Sequence, residues 1–384
     1  MIYFDAAATS FQKPASVGRA VAEAMAAMSS PGRGGYPTAQ MADRTLVECR
    51  EELAQLFQVP DPESVVFTSN ATHGLNIAIR SLVKPGSRVV LSGYEHNAVT
   101  RPLYAIPGVK LHVVNTPLFQ PEEMLRGFSK LITADTTAVV CTHVSNVFGY
   151  VLPIGEISAL CRERGVPLIV DASQSAGILP VDFAAWQAAF VAMPGHKGLY
   201  GPQGTGVLLC GVPTEPLLRG GTGSNSKEQE MPEFLPDRLE AGTHNMPGVA
   251  GLLAGVRFVR KLGIQRIRDH EWRLKEQLLT FLEGRQDSRV YGCHDEALQA
   301  GVLSFAPVEG DCESLCDRLA EEGFALRSGF HCAPFAHRTA GTIQGGTIRF
   351  SASAFNSQRE TAALCHALGW GGTTKTRGEK FTIS

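Results

Sequence analysis

The fold of this chain is decided by two stretches, VPLIVDASQ at residues 166–174 and MPGHKGLYGPQGTG at residues 193–206. The first is an apolar run that leads into Asp171, and such runs are typical of strands buried on both faces of a parallel sheet. The second places Lys197 between a histidine and a glycine-rich loop. Glycines allow the backbone to approach a ligand closely. The two stretches therefore predict a buried sheet with a carboxylate and an amine at its edge.

Strand-like runs alternate with helical patterns on both sides of these stretches, from about residue 64 to residue 210. This alternation predicts an α/β fold with an open, mostly parallel seven-stranded sheet, in which ligands bind at the carboxyl ends of the strands. The predicted strands are SVVFTS (64–69), RVVLSG (88–93), KLHVVN (110–115), TAVVCTH (137–143), VPLIVDA (166–172), AAFVAMP (188–194) and GTGVLLC (204–210).

The segments that flank this core predict further helices and a smaller α+β unit. We expect a large domain over 14–246, and a small domain formed by 1–13 and 247–384. A polar tail at 371–384 is expected to be mobile. The predicted helices lie near 14–28, 38–57, 247–283 and 311–322, and the further strands near 300–305, 324–327 and 346–350.

The composition of the 384 residues is ordinary for a globular enzyme. There are 35 lysines and arginines against 37 acidic residues, a formal charge of −2 that gives no reason to expect nucleic acid or a membrane as partner. No apolar run approaches the ~20 residues of a membrane span, and the N-terminus does not resemble a signal peptide. Nine scattered cysteines predict neither a disulfide framework nor a metal site. We therefore expect a cytoplasmic protein.

Asp171 and Lys197 are the strongest candidates for chemistry. An aspartate directly after an apolar strand needs a positive partner to offset its desolvation, and a protonated pyridine nitrogen is such a partner. A lysine whose pKa falls on desolvation binds carbonyl compounds covalently. Together they predict a pyridoxal 5'-phosphate (PLP) enzyme. The alternatives are an aspartate exposed at a strand end or capping a helix, and a solvated lysine in a glycine-rich loop.

Further polar residues that follow the predicted strands fit contacts with the same cofactor. Ala71 and Thr72 begin a helix whose N–H groups and hydroxyl can bind phosphate, although an ordinary helix N-cap also explains this pattern. His96 can stack on an aromatic ring or exchange protons, unless it faces solvent. The remaining candidates are Asn146 for a carboxylate or the phenolic oxygen of the cofactor, Gln174 for the same oxygen, and His196 for the phosphate.

Cys332 is the candidate nucleophile, in the stretch RSGFHCAP at residues 327–334. Its glycine and proline indicate a loop, and His331 and Arg327 are expected to favour thiolate over thiol. A buried, inert residue is the usual fate of cysteine. We accept that interpretation for the other eight cysteines, including Cys312 and Cys316, which lie one helical turn apart.

The chain resembles the class V aminotransferase group of PLP enzymes (fold type I), and most closely the cysteine desulfurases. The resemblance covers nearly the whole length, and it implies that Lys197 carries the cofactor, that Asp171 faces the pyridine nitrogen and that His96 stacks on the ring. It also implies phosphate contacts for Ala71, Thr72 and His196, and phenolic-oxygen and substrate contacts for Gln174 and Asn146. The motifs that carry it are YFDAAATS, EHNAV, HVSNVFG, VDASQSAG, GHKGLYGPQG, EAGTHN, RSGFHCAP and GGTIRFSASAFN.

Two positions in the resemblance bear on the phosphate and on assembly. Thr243 of EAGTHN matches a residue that such enzymes donate to the phosphate of the neighbouring subunit, which implies a homodimer with shared active sites. Pro194 stands three positions before the lysine, where these enzymes usually carry a serine that binds the phosphate. Proline has neither a hydroxyl nor an N–H group, so this phosphate contact departs from the family pattern.

The resemblance implies conversion of L-cysteine to L-alanine. Arg349 and Asn146 would hold the substrate carboxylate, and Arg327 would either contact it or tune the thiol. Lys197 would remove the Cα proton, and Cys332 would take the sulfur as a persulfide, for an acceptor that serves iron–sulfur clusters or thio-cofactors. Because Cys332 must approach the cofactor, its loop is expected to move or close.

Three alternatives stay open on the sequence alone. The same residues would support a selenocysteine lyase. In a class V aminotransferase or β-lyase, Cys332 would be incidental and no persulfide would form. The third alternative is a non-catalytic scaffold with the fold of a PLP enzyme.

Overall fold

A computed structural model describes residues 1–32 and 34–369 of the chain. Its N-terminal part contains one short strand and two helices, close to the predicted helices at 14–28 and 38–57: β1 (Ile2–Tyr3), α1 (Ala15–Ala27) and α2 (Pro37–Phe57). Pro14 precedes α1 and Pro37 opens α2, the end of a helix where a missing N–H group costs nothing. Helix α2 ends at Gln58, which has left-handed backbone.

All seven predicted strands form one sheet, in the order β2-β8-β7-β6-β5-β3-β4. Strand β8 runs antiparallel to both of its neighbours, and the remaining pairs are parallel. The predicted fold class is thereby confirmed. The strands are β2 (Val65–Thr68, after a short 3-10 turn at Pro62–Ser64), β3 (Arg88–Ser92), β4 (Lys110–Val114), β5 (Thr136–Thr142), β6 (Leu168–Asp171), β7 (Phe190–Pro194) and β8 (Gly206–Cys210).

Helices cover both faces of this sheet. Within β5, Val139 belongs to the hydrophobic cluster on one face, and its neighbour Val140 belongs to the cluster on the other. Burial on both faces explains why the strands are almost entirely apolar, and it leaves the carboxyl ends of the strands as the place for polar residues. The helices between the strands are α3 (Ala71–Leu82), α4 (Asn97–Tyr104), α5 (Pro121–Leu131), α6 (Ile154–Glu163) and α7 (Phe183–Trp186).

The prediction of a single helix over 247–283 is wrong. The segment forms two helices, α8 (Met246–Leu262) and α9 (Ile264–Glu283), which are separated by Gly263 at a φ of 87°. Only glycine adopts such a φ readily, so the helix ends there and the chain turns. Helix α8 packs against α1 and α2, whereas α9 packs against a second, smaller sheet that the C-terminal part of the chain forms. The domain division between 246 and 247 stays a prediction, and this packing favours Gly263 as the boundary.

The C-terminal part builds a second, antiparallel sheet in the order β12-β13-β10-β9, while β11 pairs with β1 in parallel. The predicted strand at 324–327 is divided at Leu326 into two short ones, and the predicted tail at 371–384 lies outside the described residues. No helix in the described ranges is long and apolar enough to cross a membrane. The elements are β9 (Ser288–Tyr291), β10 (Val302–Pro307), α10 (Cys312–Glu321), β11 (Phe324–Ala325), β12 (Arg327–Gly329), α11 (Pro334–Thr339), β13 (Thr347–Ser351) and α12 (Gln358–Gly369).

Candidate active site

A cleft of about 190 Å³ opens at the carboxyl ends of the large sheet. Residues 166–174 and 193–206 meet there, as expected for segments that follow adjacent parallel strands. Eight of the predicted site residues line the cleft, and their individual roles remain predictions. These eight are Ala71, Thr72, His96, Asn146, Asp171, Gln174, His196 and Lys197.

Lys197 lies three residues after the end of β7, and its side chain faces the cleft. Burial lowers the pKa of its ammonium to about 8, although the nearby Asp171 carboxylate acts in the opposite direction. The amine has no hydrogen-bond partner among residues 1–32 and 34–369. Near pH 8 a large fraction of Lys197 is therefore an uncharged, unpartnered amine, the form that attacks a carbonyl carbon or accepts a proton.

Asp171 is the last residue of β6 and only 2% exposed. Its Oδ1 accepts a hydrogen bond of 2.9 Å from the N–H of Ser173. The part of the chain that the structure describes offers no salt-bridge partner to this carboxylate. A buried carboxylate without a cation is costly. It therefore fits a cationic ligand atom in the cleft, such as a protonated ring nitrogen.

The N-terminus of α3 provides an anion site in the same cleft. Asn70 caps this helix by accepting a 2.9 Å hydrogen bond from the N–H of His73. The N–H groups of Ala71 and Thr72 have no partner within the described chain, and such free groups bind phosphate. Gly206 permits the turn, since a Cβ there would stand 2.6 Å from the Asn70 backbone.

His96 and His196 are both electrically neutral at pH 7. Burial is the main cause that lowers the pKa of each imidazole to about 4. The His96 Nδ1 accepts a hydrogen bond of 3.0 Å from the N–H of Ala98, so the proton lies on Nε2. The His196 Nδ1 lies 3.0 Å from Thr9 Oγ1. Each ring therefore offers a ligand hydrogen bonding or stacking rather than positive charge.

The two predicted amide side chains of the cleft, Asn146 and Gln174, each donate one hydrogen bond to a backbone carbonyl of the protein. Gln174 Nε2 donates to the carbonyl of Ala7 at 3.0 Å, and Asn146 Nδ2 donates to the carbonyl of His331 at 2.8 Å. The predicted contacts of these amides with a cofactor or substrate oxygen stay predictions. Their observed role is to attach the N-terminal segment and the Cys332 loop to the cleft.

Cys332 lies in the loop between β12 and α11 and is exposed. Both His331 and Cys332 have left-handed backbone, with φ of 47° and 57°. The N–H of Asn97 donates a 2.8 Å hydrogen bond to the carbonyl of Cys332. Since Asn97 follows His96, this bond holds the thiol-bearing residue next to the mouth of the cleft.

The expectation that His331 favours the thiolate stays a prediction, and burial disfavours a charged imidazole at this position. The imidazole is 5% exposed, and its Nε2 donates to the carbonyl of Thr347 at 3.1 Å. Burial lowers the pKa of His331 far below its ordinary value, and Arg349 acts in the same direction. A neutral ring cannot supply a cation to the sulfur. Arg327 is exposed on β12 and remains the predicted cation of the loop.

Arg349 and Arg327 face each other across the ladder between β12 and β13. Arg349 is 2% exposed, and its guanidinium donates to Asp5 Oδ1 at 2.5 Å and to the Asn146 carbonyl at 3.0 Å. Neither arginine lines the cleft. Sequence reasoning missed Asp5, although it is the one acidic residue in YFDAAATS.

Thr243 lies away from the cleft and lines two other cavities, of about 560 Å³ and 260 Å³. Glu240 and His244 border both cavities, and Glu240 contacts Arg50 at 2.5 Å and His244 at 2.6 Å. Thr243 therefore does not reach the cleft of its own chain. Its predicted donation to the site of a second chain stays a prediction.

Comparison with known proteins identifies relatives along nearly the whole chain. The model of the family "Aminotransferase class-V" matches residues 2–364. A probable cysteine desulfurase from Methanothermobacter thermautotrophicus is 33% identical over 382 residues, which cover 96% of this chain and 94% of the relative. A cysteine desulfurase from Escherichia coli is 31% identical over 353 residues, which cover 87% of this chain and 84% of the relative.

Solved structures give the same result. The apo cysteine desulfurase from Thermococcus onnurineus NA1 superposes with a TM-score of 0.87 at 30% identity, covering 96% of this chain and 93% of that one. The Escherichia coli cysteine desulfurase CsdA, in its S-sulfonic acid form, superposes with a TM-score of 0.84 at 27% identity, covering 96% of this chain and 94% of that one.

Proposed function

The chain belongs to the class V aminotransferase family, and on that premise we propose that it is a PLP-dependent cysteine desulfurase. It converts L-cysteine to L-alanine and receives the sulfur on Cys332. The named relatives and solved structures support this activity.

One observation carries the proposal beyond the family. The loop that bears an exposed cysteine is hydrogen-bonded to two residues at the cleft, Asn97 and Asn146. The same cleft holds the unpartnered amine of Lys197 and the buried carboxylate of Asp171. The loop with the thiol for the sulfur is thus attached to the cleft that holds the amine for the carbon skeleton, which supports a desulfurase.

The residues of the cleft fit PLP. The carboxylate of Asp171 lacks a described cation, Ala71 and Thr72 present free N–H groups, and Lys197 has a free amine. When bound through Lys197, PLP supplies an aldehyde that binds the substrate amine and a ring that accepts the electron pair left at Cα.

Different residues of the cleft serve different steps of the reaction at the carbon skeleton of the substrate. Lys197, once released by the substrate amine, takes the Cα proton on its Nζ, because its lowered pKa of about 8 keeps part of it uncharged near neutral pH. Asp171 holds positive charge at the ring nitrogen position. His96 would contact the bound cofactor with its neutral ring, whose Nε2 carries the proton.

Cys332 performs the sulfur step. Its thiolate attacks the substrate sulfur, so that an S–S bond forms while the Cβ–S bond breaks. The electron pair of the broken bond stays with the carbon fragment, which takes up one proton at Cβ, regains one at Cα and leaves as L-alanine. L-cysteine and one enzyme thiol therefore become L-alanine and one enzyme persulfide, and the exposure of Cys332 permits transfer to an acceptor.

We further propose a homodimer in the cytoplasm. The position of Thr243 outside its own cleft, and Pro194 within it, support a phosphate contact from the second subunit. All nine cysteines lie in the described ranges and are free, which supports a reducing compartment.

The dimer is tested by mixing subunits that carry Lys197→Ala with subunits that carry Thr243→Ala. If Thr243 acts across the interface, the hybrid has one intact site and regains desulfurase activity that neither parent shows. If Thr243 acts within its own chain, no hybrid site is intact and the mixture stays as weak as its parents.

The function is tested by incubating the PLP-loaded protein with L-cysteine or L-selenocysteine. L-alanine and the mass of the Cys332 peptide are then measured. We expect one added sulfur on Cys332 in the wild type and no sulfur transfer in Cys332→Ala. The matched control is Cys293→Ala, a half-buried cysteine outside the cleft, which should behave as the wild type. L-alanine formed without any adduct on Cys332 would contradict the persulfide step.

A further inference from the structure

Arg349 is held by an acidic residue of its own chain. Asp5 accepts a hydrogen bond of 2.5 Å on Oδ1 from Nη2 of the guanidinium, and the Asn146 carbonyl accepts one of 3.0 Å from Nη1. The Nε group is buried and has no partner among the residues described. Two of the five N–H groups of this guanidinium are therefore bonded, Nε has no partner, and the neighbouring Nη2 contacts a carboxylate.

The backbone fixes Asp5 in this position. Residue 5 forms a parallel β-bridge to Ser351, on the same strand as Arg349. The N–H of Ser351 donates to the carbonyl of Phe4 at 2.9 Å, and the N–H of Ala6 donates to the carbonyl of Ser351 at 3.1 Å. The carboxylate is thus presented to the guanidinium by strand pairing rather than by a flexible side chain alone.

The hydrogen bonds of Arg349 use only part of the edge at which an arginine binds a carboxylate. A carboxylate binds arginine most tightly through two parallel hydrogen bonds, and Nε with Nη2 forms one such edge. Asp5 makes one bond at Nη2 and leaves Nε unused. A substrate carboxylate that binds both Nε and Nη2 therefore competes with Asp5 for Nη2.

We propose that Asp5 is a specificity-determining residue, an internal carboxylate that competes with the substrate carboxylate for Arg349. The inference rests on the proposed function, because it takes L-cysteine as the substrate and Arg349 as the predicted contact of its carboxylate. Asp5 is the carboxylate partner of a guanidinium that is only 2% exposed, and a buried unpaired charge is costly. It thereby weakens the binding of every ligand that carries a carboxylate.

The test compares Asp5→Asn with the wild type and with Asp5→Glu. The amide of Asp5→Asn keeps an oxygen for Nη2 but loses the negative charge. We expect the KM for L-cysteine to fall about fivefold to tenfold, with little change in kcat, whereas Asp5→Glu restores a KM near that of the wild type. Cysteamine lacks the carboxylate, so its KM should not respond. Asp317→Asn, an exposed position on α10, is the control for the loss of one acid.

A merely structural role would raise the KM for L-cysteine and cysteamine together, and that result would overturn the inference. A second measurement needs no variant. In a crystal structure of the wild type with L-alanine, the contact between Asp5 and Nη2 should be replaced by the ligand carboxylate, and its persistence would overturn the inference as well. A wild type that binds L-alanine but makes none from L-cysteine contradicts the proposed function alone.

Discussion

The cleft around Lys197 and the loop around Cys332 are built in opposite ways. The cleft lies where buried strands end, and Asp171 closes a strand whose four residues are all buried. Cys332 is exposed, in left-handed backbone, on a loop that belongs to the small sheet. Hydrogen bonds from Asn97 and Asn146 join the loop to the cleft.

The difference follows from what each half of the reaction needs. A lysine loses its proton near neutral pH only when desolvation penalises its charge, so the amine belongs in a buried cleft. In the proposed mechanism the persulfide passes its sulfur to another molecule, which requires an exposed thiol. The chain satisfies both needs by bringing the end of a sheet and a loop of another sheet together.

Replacing Lys197 should have the largest effect. We expect Lys197→Ala to lower the rate of L-alanine formation by roughly a thousandfold, because both the covalent cofactor link and the Cα base are lost. Lys13 is the matched control, since burial also lowers its pKa to about 8 but its amine is bonded to Ser10. Lys13→Ala should keep most of the rate, and equal losses in the two variants would contradict the assignment.

The pH dependence of Lys197 gives an effect of intermediate size. In protein prepared without cofactor, competitive acetylation read by peptide mass should show Lys197 reacting with an inflection near pH 8. The amine is protonated and unreactive below its pKa, so its rate rises with pH up to about 8 and then levels.

Asp171→Asn sharpens that measurement. The carboxylate raises the pKa of Lys197, so removing its charge should move the inflection to lower pH. A shift to higher pH, or no shift, would show that the two side chains do not interact across the cleft.

The smallest effect is expected in the loop. Because His331 is neutral, His331→Gln should leave the pH profile of iodoacetamide alkylation at Cys332 nearly unchanged. A displacement of more than about half a pH unit, or ~0.7 kcal/mol, would mean that the imidazole does act on the sulfur. Arg327→Gln, which removes an exposed positive charge, is the comparison that should slow alkylation at a fixed pH.

Much of the fold and of the cleft could be predicted because the signals are local. Strands buried on both faces leave continuous apolar runs, and polar residues directly after such runs must meet at one edge of the sheet. His96, Asp171 and Lys197 were found in this way. The break at Gly263 was missed because the helical periodicity continues on both sides of it, although the glycine itself was a signal.

The sequence by itself determined the α/β architecture, the residues at the ends of its strands and the cysteine set in a glycine- and proline-bounded loop. Only the tertiary structure decided which titratable side chains are charged and which side chains contact each other. Asp5 and Arg349 are 344 positions apart, and no local pattern links them. His331 is neutral because packing from distant segments buries it, and burial is a property of the folded chain as a whole.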